Sequence, residues 1–452
     1  MVKPVSLIAF LLMSPLFLLS QEKTRIITYW DLNRNMPKES YEVIGSDSSL
    51  VDGPYYKFGM NGDTLITGTF IKGEKEGLFT NYFEDGTIQR TTVYEKNLKQ
   101  GITKVYADNG KILQEVKFVN DTIQGNLDLF YPDGKIKSST SFLDGKPNGL
   151  VTYYYESGKK KEEIYYADGK PNGLSKKYFE DGKLRSEAEY VDGLLDGRFV
   201  SYYKNGQVEL ETVNSRGKKS GSFQQYYENG QLRSSGEYAR GYLSGPVISY
   251  YDDGKIQSSY RYERGQKDGT GEVYHPDGTV KNRTQHTDNG LTEVSETFNT
   301  SGTLILKSFK EKGVKSGTWT YYDDKEKVSK TEDYLNGRLH GKRKIFQDGK
   351  LLKITSYQLG VKNGKEIHYH ENGQIQSEQN FVKGKQHGLY LKYYKNGKKE
   401  VSGKYIRDGK HGEWTYFDKK GAVIKSEKYS YGKAVNSDQK ESQVPVTNFE
   451  MW

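Results

Sequence analysis

A glycine returns every 24 residues through most of this 452-residue chain, and that period limits the fold more than any other feature of the sequence. It stands at Gly53, Gly77, Gly101, Gly125, Gly149, Gly173, Gly197, Gly221, Gly245 and Gly269. The series lapses at Glu293, resumes at Gly317 and Gly341, steps once by 23 to Gly364, and continues at Gly388 and Gly412. Five residues after each of these sixteen markers lies an aromatic, from Phe58 and Tyr82 to Tyr393 and Phe417. Nine residues after the marker comes a second glycine, usually behind Asp or Asn, as in Asp85-Gly86, Asn109-Gly110 and Asn229-Gly230. Such dipeptides supply the positive φ angles that a tight reversal between strands requires, so each unit reads as a hairpin.

A lone hairpin is marginal in water, and units of this kind must lean on their neighbours. The expected fold is therefore all-β: an elongated, twisted antiparallel β-meander of about sixteen hairpin repeats of 24 residues. A three-residue loop such as Glu84-Asp85-Gly86, with the glycine in a left-handed bulge, would place the aromatic at +5, the aliphatic at +11 (Ile88, Ile112, Ile136) and the aromatic at +17 (Tyr94, Phe118, Phe142) on one face. That ladder is expected to form the stabilising layer. A third glycine, as at Gly145 and Gly169, opens a second tight connection to the next unit.

Around this array the chain divides into residues 1–20, read as a signal peptide from Lys3 and the apolar run Leu7 to Leu19; residues 21–52, an N-terminal cap; the array at 53–435; and a polar tail at 436–452. The expected location is exported: periplasmic, envelope-associated or secreted. No later apolar run is long enough to span a bilayer. The absence of cysteine removes disulfides, thiolate metal sites and cysteine nucleophiles together. A hydrophobic share of 34% is thin for large cores, yet 38 tyrosines and 18 phenylalanines argue for order. The net charge of +9 is spread along the chain without a basic stripe, which argues against nucleic acid as a partner.

The phrase from Tyr226 to Gly245 resembles the repeat of the MORN-repeat variant family, in which Gly-x-x-x-x-Tyr-Tyr-x-Asn-Gly-x-Leu is followed by Tyr-x-x-Gly-x-x-x-Gly. The resemblance implies a repeat scaffold that contacts partners or membrane surfaces. Bacterial members often carry an antitoxin label, which the resemblance would extend to this chain, whereas an export signal argues against a cytoplasmic antitoxin. Glycan-binding hairpin repeats share the Gly and Tyr-Tyr usage but are rich in tryptophan, and this chain has Trp30, Trp319, Trp414 and Trp452 alone.

No catalytic, cofactor or metal site is expected. His340, His387 and His411 precede marker glycines at a position filled elsewhere by Asn, Asp or Ser, a polar turn position. His368 and His370 offer a two-residue start for a metal site without a third ligand at usable spacing. No Gly-Lys is followed by Ser or Thr, so the phosphate-cradling loop is absent. One feature exceeds what the repeat demands. The residue at +6 is aromatic in six consecutive units, Tyr131, Tyr155, Phe179, Tyr203, Tyr227 and Tyr251. Exposed, these rings would form a stripe for stacking sugars or receiving a partner's apolar surface; buried, they would stabilise one another. The expected partner is a protein or a cell-surface polymer.

Overall fold

A computed structural model describes residues 22–45 and 50–435; the expected signal peptide and polar tail lie outside the described residues. Among these, every regular element is a β-strand. The chain divides into two compact units, residues 1–206 with 214–217, and residues 207–213 with 218–452. In the first, strands from Lys23–Tyr29 to Leu194–Tyr202 each pair antiparallel with their neighbours in sequence. In the second, the same meander runs from Lys218–Tyr226 to Lys433–Ala434. The cap contributes two further strands, Lys23–Tyr29 and Pro37–Ile44, the second of which pairs with Val51–Phe58.

The strands Thr122–Phe130, Ile136–Leu143 and Lys146–Tyr154 show how a repeat is made. Pro132-Asp133-Gly134 form the three-residue loop that the Asp-Gly pair predicts. Tyr131 N–H donates to Lys135 O at 2.8 Å, Gly134 N–H donates to Tyr131 O at 2.8 Å, and Gly134 takes φ +88°. Asp133 steadies the loop by accepting the Lys135 N–H at 3.0 Å. The second connection is a two-residue turn, Asp144-Gly145, with both φ angles positive at 50° and 77°. This is the combination that matches the twist of the flanking strands.

The marker glycines make a bulge. Thr140 faces Val151 and Phe142 faces Pro147, so the register slips across the stretch that holds Gly149, which takes φ +97°. A side chain there would carry the strain of the left-handed region. The lapse at Glu293 confirms the cause. There the pairing runs unbroken from Asn282↔Thr297 to Thr287↔Thr292, and the slack moves into a longer turn through Asp288, Asn289 and Gly290. Without the glycine there is no bulge.

One expectation about faces is overturned. The three-residue loop is present, but the register slips again just beyond it: Phe130 pairs with Ile136, whereas Leu129 pairs with Ser138 and Gly125 with Phe142. This extra bulge reverses the parity of the return strand. The +5 and +11 residues share one face, and the +17 aromatic lies on the other, beside the residue at +2. Thus Phe79 packs edge-on against Tyr94 at 5.2 Å and against Phe70 of the preceding unit at 5.5 Å. Tyr178, at +5, instead gives its hydroxyl to Glu163 at 2.5 Å on the opposite face.

The core is consequently dominated by a row of residues at +2 and +15, crossing the strands one after another, with Val200, Thr80 and Thr152 at +3 buried on the opposite face and Phe381 buried at +17. In the first unit it buries Phe79, Thr92, Thr103, Val116, Val151, Ile164, Ser175 and Ala188. In the second it buries Thr284, Ser308, Trp319, Glu332, Thr355, Glu366 and Trp414. Sizes alternate along it. Gly68 lies under the Phe79 ring and Gly403 under the Trp414 indole, and a Cβ at either would come within 2.4 Å of ring carbon. Where no large ring stands, medium residues such as Thr140 and Val151 face each other. Filling one row by complementary volumes is how a single sheet reaches interior packing with so few apolar residues.

Candidate interaction surface

Where the loops form, the +6 residues sit one position past the strand ends, and all six are half-buried. The hydroxyls of four of them point along the array. Tyr131 donates to Tyr154 O, Tyr155 to Tyr178 O and Tyr227 to Tyr250 O, each at 2.8 Å, and Tyr251 to Tyr274 O at 2.7 Å. Each bond reaches the next unit, 23 residues on. The two histidines that replace this aromatic keep the link: His275 Nε2–H donates to Phe298 O at 3.3 Å and His370 Nε2–H to Tyr393 O at 2.9 Å. A cation from +12 stands over the ring face, Lys137 on Tyr131, Lys161 on Tyr155, Arg185 on Phe179 and Arg233 on Tyr227, at 5.6 to 5.8 Å from the centroid.

Lysines reinforce the same edge. Lys111, Lys135, Lys159, Lys183, Lys255 and Lys398 each extend Nζ to a loop carbonyl of the following unit, at 2.6 to 3.0 Å. On the other edge, the two-residue turns are stitched by backbone bonds, as Gly145 N–H to Ile123 O at 3.0 Å and Gly169 N–H to Pro147 O at 2.9 Å, and by side chains, as Gln124 Nε2–H to Asp144 Oδ1 at 2.6 Å and Lys99 N–H to Asp121 Oδ1 at 2.8 Å. Neighbouring hairpins are therefore tied at both ends. The surface they present is held in place before any partner arrives, which reduces the ordering cost of binding.

An exposed apolar row that sequence reasoning missed runs beside the two-residue turns in the first unit and again in the second, at Val314, Leu335, Val361, Val382 and Leu389. It comprises the +1, +16 and +18 positions and the residue three before the marker, on the face opposite the core. Leu78 is 56% exposed, Leu143 52%, Tyr165 50% and Leu194 50%. Ile71, Leu98, Ile102, Leu174 and Val191 are exposed beside them. Val191 and Leu194 are a direct cross-strand pair, as are Leu150 and Tyr165. The signal in the sequence was present: turns of this kind are usually flanked by polar residues, and here Leu143, Val191 and Leu194 flank them. Contiguous exposed apolar surface of this kind is a common feature of contact sites in proteins.

Glu366 lies in the core row, where Lys362 (2.7 Å), Lys353 (3.2 Å), His368 (3.2 Å) and the Thr355 hydroxyl (3.0 Å) all reach it. Burial disfavours its charge, but hydrogen bonds from Lys362, His368 and Lys353 outweigh that and bring its pKa down to about 2. His368 is thus occupied by a carboxylate and His370 by a carbonyl. Among the described residues no group of three His, Cys, Asp or Glu side chains is arranged to hold a metal ion. Nor is any helix there long and apolar enough to cross a membrane.

The chain is similar to the family described as MORN repeat variant, whose profile matches residues 75–96, 99–120, 147–168, 171–192, 195–213, 219–239, 243–264, 362–383 and 386–406. No curated protein matches it. Among solved structures, it is similar to the TcdB2-TccC3 crystal structure at 12% identity, covering 91% of this chain and 23% of that one, with a TM-score of 0.14. The Photorhabdus luminescens Tc holotoxin pore gives 12% identity, 91% and 26% coverage, and the same TM-score of 0.14. The chain spans about a quarter of the length of these structures.

Proposed function

Because the chain belongs to the MORN repeat variant family, we propose that it is an exported, non-enzymatic scaffold that holds a protein partner along the two-residue-turn edge of its first unit. One observation carries this reading: the exposed apolar row from Ile71 to Leu194 lies on hairpins that are locked to one another at both ends. Apolar area on a pre-ordered surface favours association, since little conformational freedom is lost on contact.

The same geometry weighs against a glycan platform on the +6 rings. Sugar stacking needs an open ring face, and the faces of Tyr131, Tyr155, Phe179 and Tyr227 carry cations from their own units. Neutralisation of a toxin by direct binding would use the same kind of contact and is a special case of the proposal.

The test is a pulldown from the native envelope with the mature chain, beside a Leu174→Ser/Val191→Ser/Leu194→Ser variant and a Tyr155→Ser/Tyr203→Ser/Tyr227→Ser variant, each checked for fold by circular dichroism. Loss of a specific partner in the first variant alone supports the edge. Loss in the folded ring variant alone would return function to the +6 stripe.

A further inference from the structure

The repeat supplies its own control for reading one cavity. On the core face of the units marked by Gly77 and Gly101 lies a cavity of about 350 Å³, lined by Lys75, Arg90 and Lys99 together with Phe79, Tyr94 and Phe118, and by no carboxylate. That volume is at the lower end of the range for ligand sites. Lys75 stands 5.2 Å over the Phe79 ring and Lys99 5.0 Å over Phe118. None of the three cations is paired with a carboxylate among the described residues.

In three later units a cation at an equivalent position meets a carboxylate, whereas Lys219, Lys267, Lys315 and Lys410, also two residues before their markers, stand over rings as Lys75 and Lys99 do. Lys362, two residues before its marker like Lys75 and Lys99, holds Glu366 at 2.7 Å. Lys330 and Lys425, at +13 like Arg90, hold Glu332 at 3.3 Å and Glu427 at 2.9 Å. In each case the glutamate occupies the +2 or +15 position of the core row. In the cavity those positions are Phe79, Thr92 and Thr103. The cavity therefore gathers three cations without the glutamate that Glu332, Glu366 and Glu427 supply in those three units.

We propose that this cavity is an anion site that receives carboxylate side chains from an acidic segment of the partner protein, in the place that glutamate fills in later repeats. It rests on the reading of the chain as a contact scaffold. Three cations on packed strands, with ring edges and the Thr92 and Thr103 hydroxyls around them, accept a carboxylate without rearrangement of the sheet.

The experiment is fluorescence anisotropy of a fluorescein-labelled hexaglutamate peptide on the full chain, with hexaglutamine as control. Binding that weakens with salt is expected for hexaglutamate and none for hexaglutamine. Lys75→Gln/Arg90→Gln/Lys99→Gln should weaken it by about tenfold or more, the effect of losing charge-assisted contacts. Thr92→Glu, which installs the carboxylate at the position of Glu332 and Glu427, should abolish it while leaving the fold intact. Removing equal charge at the exposed loop residues Lys204, Lys395 and Lys419 should change little. Equal loss in that remote variant, or tight binding by Thr92→Glu, would overturn the site. So would phosphatidylserine vesicles binding through the three cations when the peptide does not. Because the apolar edge is not altered in any of these variants, failure here leaves the pulldown result to judge the scaffold reading separately.

Discussion

Gly403→Ala is the sharpest test of the core row. Gly403 lies in an ordinary strand with no positive φ, so a methyl group there should by backbone entropy stabilise the strand by about 0.5–1 kcal/mol. The packing predicts the opposite. A Cβ would stand 2.3, 2.4 and 2.7 Å from three indole carbons of Trp414, more than a full ångström inside normal contact at the closest. The indole cannot move aside cheaply. It is 2% exposed, donates Nε1–H to Lys404 O at 3.2 Å, and is flanked by Tyr390 at 5.6 Å and Tyr405 at 5.0 Å. Overpacking of this kind costs roughly 1–3 kcal/mol. Repeat arrays unfold in parts, so the readout should be local: hydrogen exchange of the amides in residues 399–417. Protection there should fall, and a second change, Trp414→Val, should recover part of it by restoring a medium pair like Thr140 and Val151. Unchanged or increased protection in Gly403→Ala would refute the row.

The links between units make further predictions. Tyr155→Phe removes the hydroxyl that satisfies Tyr178 O, and should lower local stability by about 1 kcal/mol, seen as faster exchange in the loops on either side. His286 takes the +17 aromatic position beside the Glu293 lapse, is 5% exposed, and neither ring nitrogen has a hydrogen-bond partner. Burial, and then Lys267, hold its imidazole below the ordinary value, so the folded state resists protonation. Its contribution to stability is therefore present above the unfolded value of about 6.5 and lost as pH falls through it; His286→Phe should remove that acid-side loss in thermal melts. Glu366 is the reverse case in type though not in direction. Its pKa is held at about 2, so its stabilisation is full above the ordinary glutamate range and declines as pH falls toward 2. Glu366→Gln should flatten that decline and destabilise the strands around Thr355 at neutral pH by leaving Lys353 and Lys362 unpaired.

The period, the strand count per unit and the three-residue Asp-Gly loop were all legible because they depend on short-range backbone chemistry. The face on which Tyr94 or Phe118 lies was not. That depends on a bulge one step past the loop, which places no glycine or proline in the sequence to announce it. Alternation counted through Leu129 to Ser138 is off by one residue, and one residue changes the face. The small residues at Gly68, Gly236 and Gly403 were the available clue, since a glycine with no turn around it makes room for a ring from another strand. The partner of each +6 tyrosine could not be read, because a main-chain carbonyl has no residue type. The exposed row at Leu143, Tyr165 and Leu194 was overshadowed by the more conspicuous rings.

The most direct measurement is a hydrogen-exchange footprint of the full chain with and without the partner recovered from the envelope. The account predicts added protection around the two-residue turns and their flanking strands, centred on residues 143–146 and 165–194, with little change at the three-residue loops that contain Asp133 and Asp181. Protection confined to those loops and the Tyr131, Tyr155 and Tyr227 segments would contradict it.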